Sequence, residues 1–271
     1  MKQIAVYGKG GIGKSTITTN ISVCLASSGY KVLQIGCDPK HDSTQMLHHG
    51  QLQPTVLDKL RENGPAGVSR EDILKTGYAG VLTIEAGGPE PGIGCAGRGI
   101  ISMFEILEKL AIITKDIDMI LYDVLGDVVC GGFAVPIRKN YAQEIYIVTS
   151  GEFMSLYAAN NICKCIARFS SRDKGTLAGI IGNGRLNKSW EKELISEFAA
   201  KVGSELVAFF PRDEIFYEAE VNQRTVMEYR AEHAISGMFQ TLSRTVFDSP
   251  PLVSPIPFEP KELEQLVRRH G

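Results

Sequence analysis

The chain has 271 residues, 44% of them hydrophobic and 22% charged, with a formal net charge of −2 at pH 7. This is enough apolar material for a sizeable core in an α/β unit, and it excludes a disordered chain. The near-neutral balance lacks a long Lys/Arg run, which argues against nucleic acid or an anionic membrane surface as partner, and no window of about 18 apolar residues offers a membrane span.

The N-terminal run in MKQIAVYGKGG is too short for the apolar part of a secretory signal and leads straight into a glycine loop, so a soluble, cytoplasmic protein is expected. Six runs have strand length and turn residues at their ends: 3–8 (QIAVYG), 31–37 (KVLQIGC), 80–86 (GVLTIEA), 118–124 (DMILYDV), 144–150 (EIYIVTS) and 177–183 (LAGIIGN). They are almost continuously apolar rather than alternating, the pattern of parallel strands buried on both faces. Helical segments lie between and after them, at 15–29 (with Gly29 as a C-terminal stop), 101–114, 154–171 and 189–203. The alternation predicts a doubly wound, mostly parallel α/β sheet flanked by helices. Residues 248–260 (DSPPLVSPIPFEP) hold five prolines and predict an extended tail, with a short helix over 261–271. Such a tail either packs on its own domain or bridges subunits.

GKGGIGKS (8–15) follows the first strand and opens the first helix, and it fits G-x-x-x-x-G-K-S/T at Gly8, Gly13, Lys14 and Ser15. The strand–loop–helix context removes most chance matches. Glycines let backbone N–H groups converge on phosphate oxygens, and the helix N-terminus adds positive potential. Lys14 would reach the β- and γ-phosphates and the Ser15 hydroxyl would ligate Mg²⁺, which places the fold among P-loop NTPases. Lys9 is an additional lysine early in the loop. It is either a solvated side chain or the mark of a variant loop, GKGG-x-GKS, that resembles the loop of a subfamily of dimeric ATPases whose early lysine reaches the partner subunit's nucleotide. Two further loops leave strand ends and carry carboxylates: GCDPKHDST (36–44) with Asp38 and Asp42, and DVLGD (123–127) with Asp123 and Asp127. Aspartates there suit Mg²⁺ or water positioning, and two such loops beside one γ-phosphate would act as switches. Taken singly, any of these aspartates could instead cap a turn or helix.

The six cysteines divide by context. Cys24 and Cys37 lie in core-facing positions, and Cys163 and Cys165, two apart on a helix, point to different faces and make a poor metal pair. Cys95 and Cys130 sit in glycine-rich loops, GIGCAGRG (92–99) and DVVCGGFA (127–134). No C-x-x-C pair exists, so one chain lacks a standard iron–sulfur or zinc frame. Two loop thiolates per chain are half of a set of four that a two-fold dimer would complete. Structural thiols and a disulfide between the loops are the alternatives.

GKGGIGKST, GCDPKHDST, GGPEPGIGCAGRG and DVLGDVVCGGFA, in this order, together with SGEFMSLYAANNI (150–162) and PRDE (211–214), resemble the nitrogenase iron protein family from residue 2 to about residue 230. The resemblance implies a homodimer with one bridging 4Fe–4S cluster, held by Cys95 and Cys130 of both subunits, and one Mg-ATP site per subunit. ATP hydrolysis would be coupled to one-electron transfer from an upstream ferredoxin or flavodoxin to a catalytic reductase partner. By motif, Gly8, Lys9, Gly10, Gly11, Ile12, Gly13, Lys14, Ser15 and Thr16 bind the phosphates, and Ser15, Asp42 and Asp123 lie around Mg²⁺. Lys9, Asp38 and Asp127 serve hydrolysis, Asp38 and Lys40 belonging to a first switch and Asp123 and Asp127 to a second that leads to Cys130. Asn183 and Pro211, Arg212, Asp213 and Glu214 match positions around the adenine. Arg98 matches an arginine at the docking face that some organisms ADP-ribosylate. On this reading residues 1–247 form the ATPase and iron–sulfur domain and 248–271 a tail. His41 replaces the alanine usual in the family, and KVLQIGCDPKHDST resembles the matching component of dark-operative protochlorophyllide reductase. Nickel-tetrapyrrole and methylthio-alkane reductase systems are further alternatives, and a positioning or partitioning ATPase without a cluster is the rival of another class.

Overall fold

The apolar runs pair into one sheet because each is buried on both faces and can satisfy its backbone only against a neighbour. The computed structural model describes residues 1–88, 96–126, 134–138, 141–169 and 176–270. In chain order the elements are β1 (Lys2–Gly8), α1 (Lys14–Ser27), β2 (Val32–Cys37), α2 (Val56–Gly67), α3 (Arg70–Ile73), β3 (Lys75–Thr76) and β4 (Leu82–Glu85). There follow α4 (Ala96–Lys109), β5 (Met119–Val124), α5 (Val135–Arg138), β6 (Glu144–Thr149), α6 (Phe153–Phe169), β7 (Leu177–Asn183) and α7 (Glu191–Lys201). The last elements are β8 (Leu206–Phe210), α8 (Glu214–Val221), α9 (Val226–Tyr229), α10 (Ala234–Asp248) and α11 (Pro260–His270).

The eight strands lie in the order β3-β4-β2-β5-β1-β6-β7-β8. All pairs are parallel except β3 with β4. The predicted doubly wound sheet is therefore present, with the C-terminal ends of seven strands along one edge. Two cores cover its faces. One gathers α1 and α10 with Ile4, Leu121, Tyr146 and Phe239, and the other gathers α4, α6, α7 and α11 with Leu33, Tyr122, Ile147 and Phe198.

Helix α1 starts one residue before the expected 15 and ends at Ser27, where Gly29 adopts φ +93 and donates its N–H to Ala26 O at 2.9 Å. A left-handed residue just past the last turn is the place where glycine carries no Cβ penalty. Helix α6 is covered on two sides, by the sheet and by α11, so Cys163 and Cys165 are both buried although they project differently.

The proline-rich tail lies against its own chain. Val253 bridges Leu177 at the start of β7. Asn160 on α6 donates through Nδ2 to Phe258 O at 2.9 Å and accepts from Phe258 N at 2.8 Å, while the Phe258 ring stacks on Phe198 at 5.4 Å. Leu263 and Leu266 of α11 are fully buried in the same core as the sheet. Among the described residues no helix is long and apolar enough to cross a membrane.

Candidate functional site

Strand register brings the site together before any side chain is considered. Glu85 of β4 pairs with Gly36 of β2, Gly36 with Asp123 of β5, and Asp123 with Val6 of β1. These four residues form one row across the sheet just below its C-terminal edge. Parallel strands in register place row-mates on the same face, so the carboxylates of Glu85 and Asp123 flank a glycine.

The phosphate loop rises from the end of β1 beside this row. Gly13 is the N-cap of α1 at φ +97 and supplies no side-chain cap, so the first N–H groups of α1 stay open to a ligand. The amide of Asn183 packs on Gly13, where a Cβ would lie 2.5 Å from Nδ2, and donates to Ile12 O at 2.7 Å. Arg185 donates to Gly11 O from the same side. Lys14 is buried at the base of the loop and donates to Lys9 O at 3.3 Å. Lys9, Gly10, Gly13 and Ser15 are half-buried, and Gly11 and Thr16 are exposed at the mouth.

Asp123 is buried beneath the loop, and neither of its carboxylate oxygens has a hydrogen-bond partner among the described residues. Burial raises its pKa, while the Lys14 ammonium and the nearby Ser15 and Ser43 hydroxyls act in the opposite sense. A buried acceptor left unpaired costs stability unless something occupies it. An uncapped helix N-terminus, a buried ammonium and an unpartnered carboxylate are complementary to the phosphates and metal of Mg-ATP.

The loop after β2 is stitched to α1 by a polar network in the core. Gln34 donates through Nε2 to Ser43 O and Ser43 Oγ, both at 3.1 Å, and accepts from Ser22 Oγ at 2.9 Å. Thr19 Oγ1 donates to Ser43 O at 3.1 Å. Asp38 Oδ1 accepts from Lys40 N at 2.9 Å, which turns the chain so that Lys40 and Asp42 are exposed near the phosphate loop.

Glu85 has no assigned role in the motif reading. It is 1% exposed, and its Oε1 accepts from Thr44 N and Thr44 Oγ1, both at 2.7 Å. Its Oε2 has no hydrogen-bond partner among the described residues. Burial pushes the Glu85 pKa up to about 8, with Asp123 and Asp42 raising it further and the Thr44 hydrogen bonds opposing. A Cβ on Gly36 would lie 2.6 Å from Glu85 Cδ and 2.8 Å from Ser43 Cβ, so glycine is the residue that lets this carboxyl sit over β2.

A cavity of about 640 Å³ runs along α1 from Asp42 of the loop after β2, past Ser15 and Thr16, to Asn183, Arg212, Asp213 and Tyr217. Asn183, Arg212 and Asp213 are the positions expected around the base. Pro211 and Glu214 flank them and are exposed. Asp213 caps α8, its Oδ1 accepting from Ile215 N at 2.9 Å. Glu191, not singled out by sequence, holds this wall. Its buried carboxylate accepts from Gly151 N at 3.0 Å, Arg185 N at 3.0 Å and Leu186 N at 2.9 Å, tying the exits of β6 and β7 together.

Cys95, Cys130 and Asp127 lie outside the described residues. The strand ends that lead to them are described. Gly126 N donates to Gly8 O at 3.1 Å, and a Cβ on Gly126 would lie 2.5–2.8 Å from three backbone atoms of Gly8. The other four cysteines are buried and form no disulfide among the described residues. Burial pushes the thiols of Cys24 and Cys163 up to about 11 and about 12 and that of Cys37 well above its usual value, so these three stay protonated. Among the described residues no group of three His, Cys, Asp or Glu could hold a metal ion. Arg98 is exposed in the first turn of α4.

Residues 2–271 match the model of the 4Fe-4S iron sulfur cluster binding proteins of the NifH/frxC family. The chain is 54% identical over 272 residues to a nitrogenase iron protein of Methanospirillum hungatei, covering 100% of this chain and 96% of that protein. Among solved structures, the cell division protein MinD of Aquifex aeolicus superposes with a TM-score of 0.67 at 20% identity, covering 93% of this chain and 100% of its own. MinD of Pyrococcus horikoshii complexed with Mg-ADP gives 0.70 at 21%, covering 90% and 95%. These two likenesses establish the sheet-and-helix architecture.

Proposed function

Because the chain belongs to the NifH/frxC family of 4Fe-4S iron–sulfur cluster binding proteins, we propose that it is the ATP-dependent reductase component of a nitrogenase-type system. It would work as a homodimer that passes single electrons to a separate catalytic partner and is recharged by a ferredoxin or flavodoxin. The observation that carries this reading is the backbone contact between Gly126 and Gly8, because it joins the phosphate loop directly to the segment that reaches Cys130 four residues later.

In this scheme Gly8 to Thr16 cradle the phosphates and Lys14 neutralises them. Ser15 and Asp123 hold the metal ion with Asp42, while Asp38, Asp127 and the partner's early lysine (Lys9) act at the γ-phosphate. Lys40 belongs to the first switch with Asp38. The phosphate orders both loops, and its loss releases them. Asn183 and Pro211–Glu214 enclose the base. Cys95 and Cys130 would hold the cluster between subunits, where it supplies a one-electron redox centre. Arg98, exposed beside the Cys95 segment, belongs to the face that docks the partner.

The test is anaerobic purification with iron quantitation and EPR of the reduced protein. About four irons per dimer and a signal lost in Cys95→Ala are expected. A colourless, iron-free dimer refutes the reading. Lys14→Ala should keep the iron signal and lose ATP-dependent reduction of the partner; persistence of that reduction would remove ATP as the driver.

A further inference from the structure

The second switch is joined to the phosphate loop through Gly126, but the Cys95 segment leaves a different strand, β4. The geometry points to Glu85 as a positioning residue that couples the loop after β2 to the exit of β4 and so to the segment carrying Cys95. This inference rests on the nucleotide-site reading above for the statement that the loop after β2 responds to nucleotide.

Three contacts make the joint. Glu85, the last residue of β4, receives both Thr44 donors on one oxygen at 2.7 Å. Ala86 N donates to Gly36 O at 2.9 Å, which carries the β4–β2 pairing one residue past the strand. Gly88 lies on Pro39, where a Cβ would stand 2.7 Å from Pro39 Cβ and 3.1 Å from Pro39 O. From the opposite side Arg61 of α2 donates to Gly88 O and Gly87 packs on Thr55. Residues 85–88 are thus held between the loop after β2 and the start of α2. Cys95 follows Gly88 by seven residues, and α4, whose Gly99 packs on Leu57 of α2, begins directly after it.

The joint is stiff for a physical reason. Thr44 and Glu85 are both 1% exposed, so water cannot replace either hydrogen bond during a displacement. A shift of residues 38–44 must therefore either leave buried donors unpaired or carry the end of β4 with it. The empty glycine position at 36 is what allows the carboxyl to reach Thr44 across β2.

The experiment is hydrogen–deuterium exchange of the full-length dimer, prepared anaerobically, with Mg-ADP and with a non-hydrolysable Mg-ATP analogue. Peptides covering 86–99 should exchange differently in the two nucleotide states. Glu85→Ala is expected to remove at least half of that difference while residues 8–16 stay protected and Mg-ADP affinity stays within about threefold of wild type. Glu85→Gln, whose carbonyl still accepts from Thr44, should restore it. Thr44→Val, which deletes one of the two donors, provides an intermediate loss where Glu85→Ala does not fold. A full response in Glu85→Ala or in Thr44→Val overturns the proposal, as does a wild-type chain with no response at 86–99. Iron content on the same samples separates the two readings. An iron-free chain that shows the coupling keeps the joint and loses the reductase assignment, and an iron-loaded chain indifferent to Glu85 does the reverse.

Discussion

Replacing Glu85 by Gln removes an ionisable group from the core while keeping its shape and its acceptor for Thr44. Burial lifts this carboxyl from 4.5 to about 8. Between those values the folded chain holds a proton that the unfolded chain releases, so wild-type stability falls as pH rises through this window and levels off above pH 8. At pH 7 the folded group is still protonated. The 2.5 pH units above 4.5 then cost about 3 kcal/mol at ~1.4 kcal/mol per unit. Gln carries no such dependence. Asp123, shifted the same way, is present in both chains and cancels in the difference. The assay is urea unfolding of both chains, nucleotide-free and in EDTA, at pH 5.5, 6.5 and 7.5. Glu85→Gln should gain on wild type by about 1 kcal/mol per pH unit, with unchanged m-values. Parallel stability curves would refute the reasoning, because they would mean that Glu85 is already ionised in the fold.

Gly126→Ala should lower stability by about 1–3 kcal/mol through overpacking on the Gly8 backbone, and calorimetric titration should show weaker Mg-ADP binding. Asn160→Ala breaks both bonds to Phe258 and should cost about 2–3 kcal/mol in denaturant midpoints, with earlier proteolytic cleavage within residues 248–258. Glu191→Ala strips the acceptor shared by Gly151, Arg185 and Leu186, and should weaken Mg-ADP binding about tenfold or more in the same titration. Unchanged affinity there would mean that the wall of the cavity stands without its carboxylate.

The six strands read from sequence are all present, their boundaries shifted by up to two residues, because uninterrupted apolar runs between turn residues have few other fates. Strand β8 is missing from that reading. Its run, LVAFF, is wholly apolar, and its first four residues are half-buried, as befits an edge; β3, also missing, has only two residues and no pattern to read. Helix α4 begins at Ala96 rather than Ile101 because two early glycines hide its first turn from propensity. Helix α10 did carry a signal, with Ile235, Phe239, Leu242 and Val246 at helical spacing, and α2 was obscured by Gly64 and Pro65 within it. In the site, the phosphate loop and Asp123 were legible because their chemistry is local to a strand–loop junction. Glu85 is the last residue of an apolar strand and Asp123 the last but one of another, but the meaning of Glu85 depends on a glycine in the neighbouring strand and on Thr44, 41 residues away. Glu191 reaches back 40 residues to Gly151. Such roles follow from register and closure, which no short window of sequence contains.

The tail bears on the order in which the chain assembles. The first strand is tied to the last segments, with Lys2 bonded to Val246 O and Ser249 Oγ and paired with Glu144. Val253 bridges Leu177 at the start of β7, and Leu263 and Leu266 complete the α6–α7 side of the core. A ribosome releasing this protein therefore exposes a finished phosphate loop long before the layer behind it can close. Until about residue 266 has emerged, the nascent chain presents an open apolar seam over α6 and α7, and any chaperone that shields it would act at the end of synthesis.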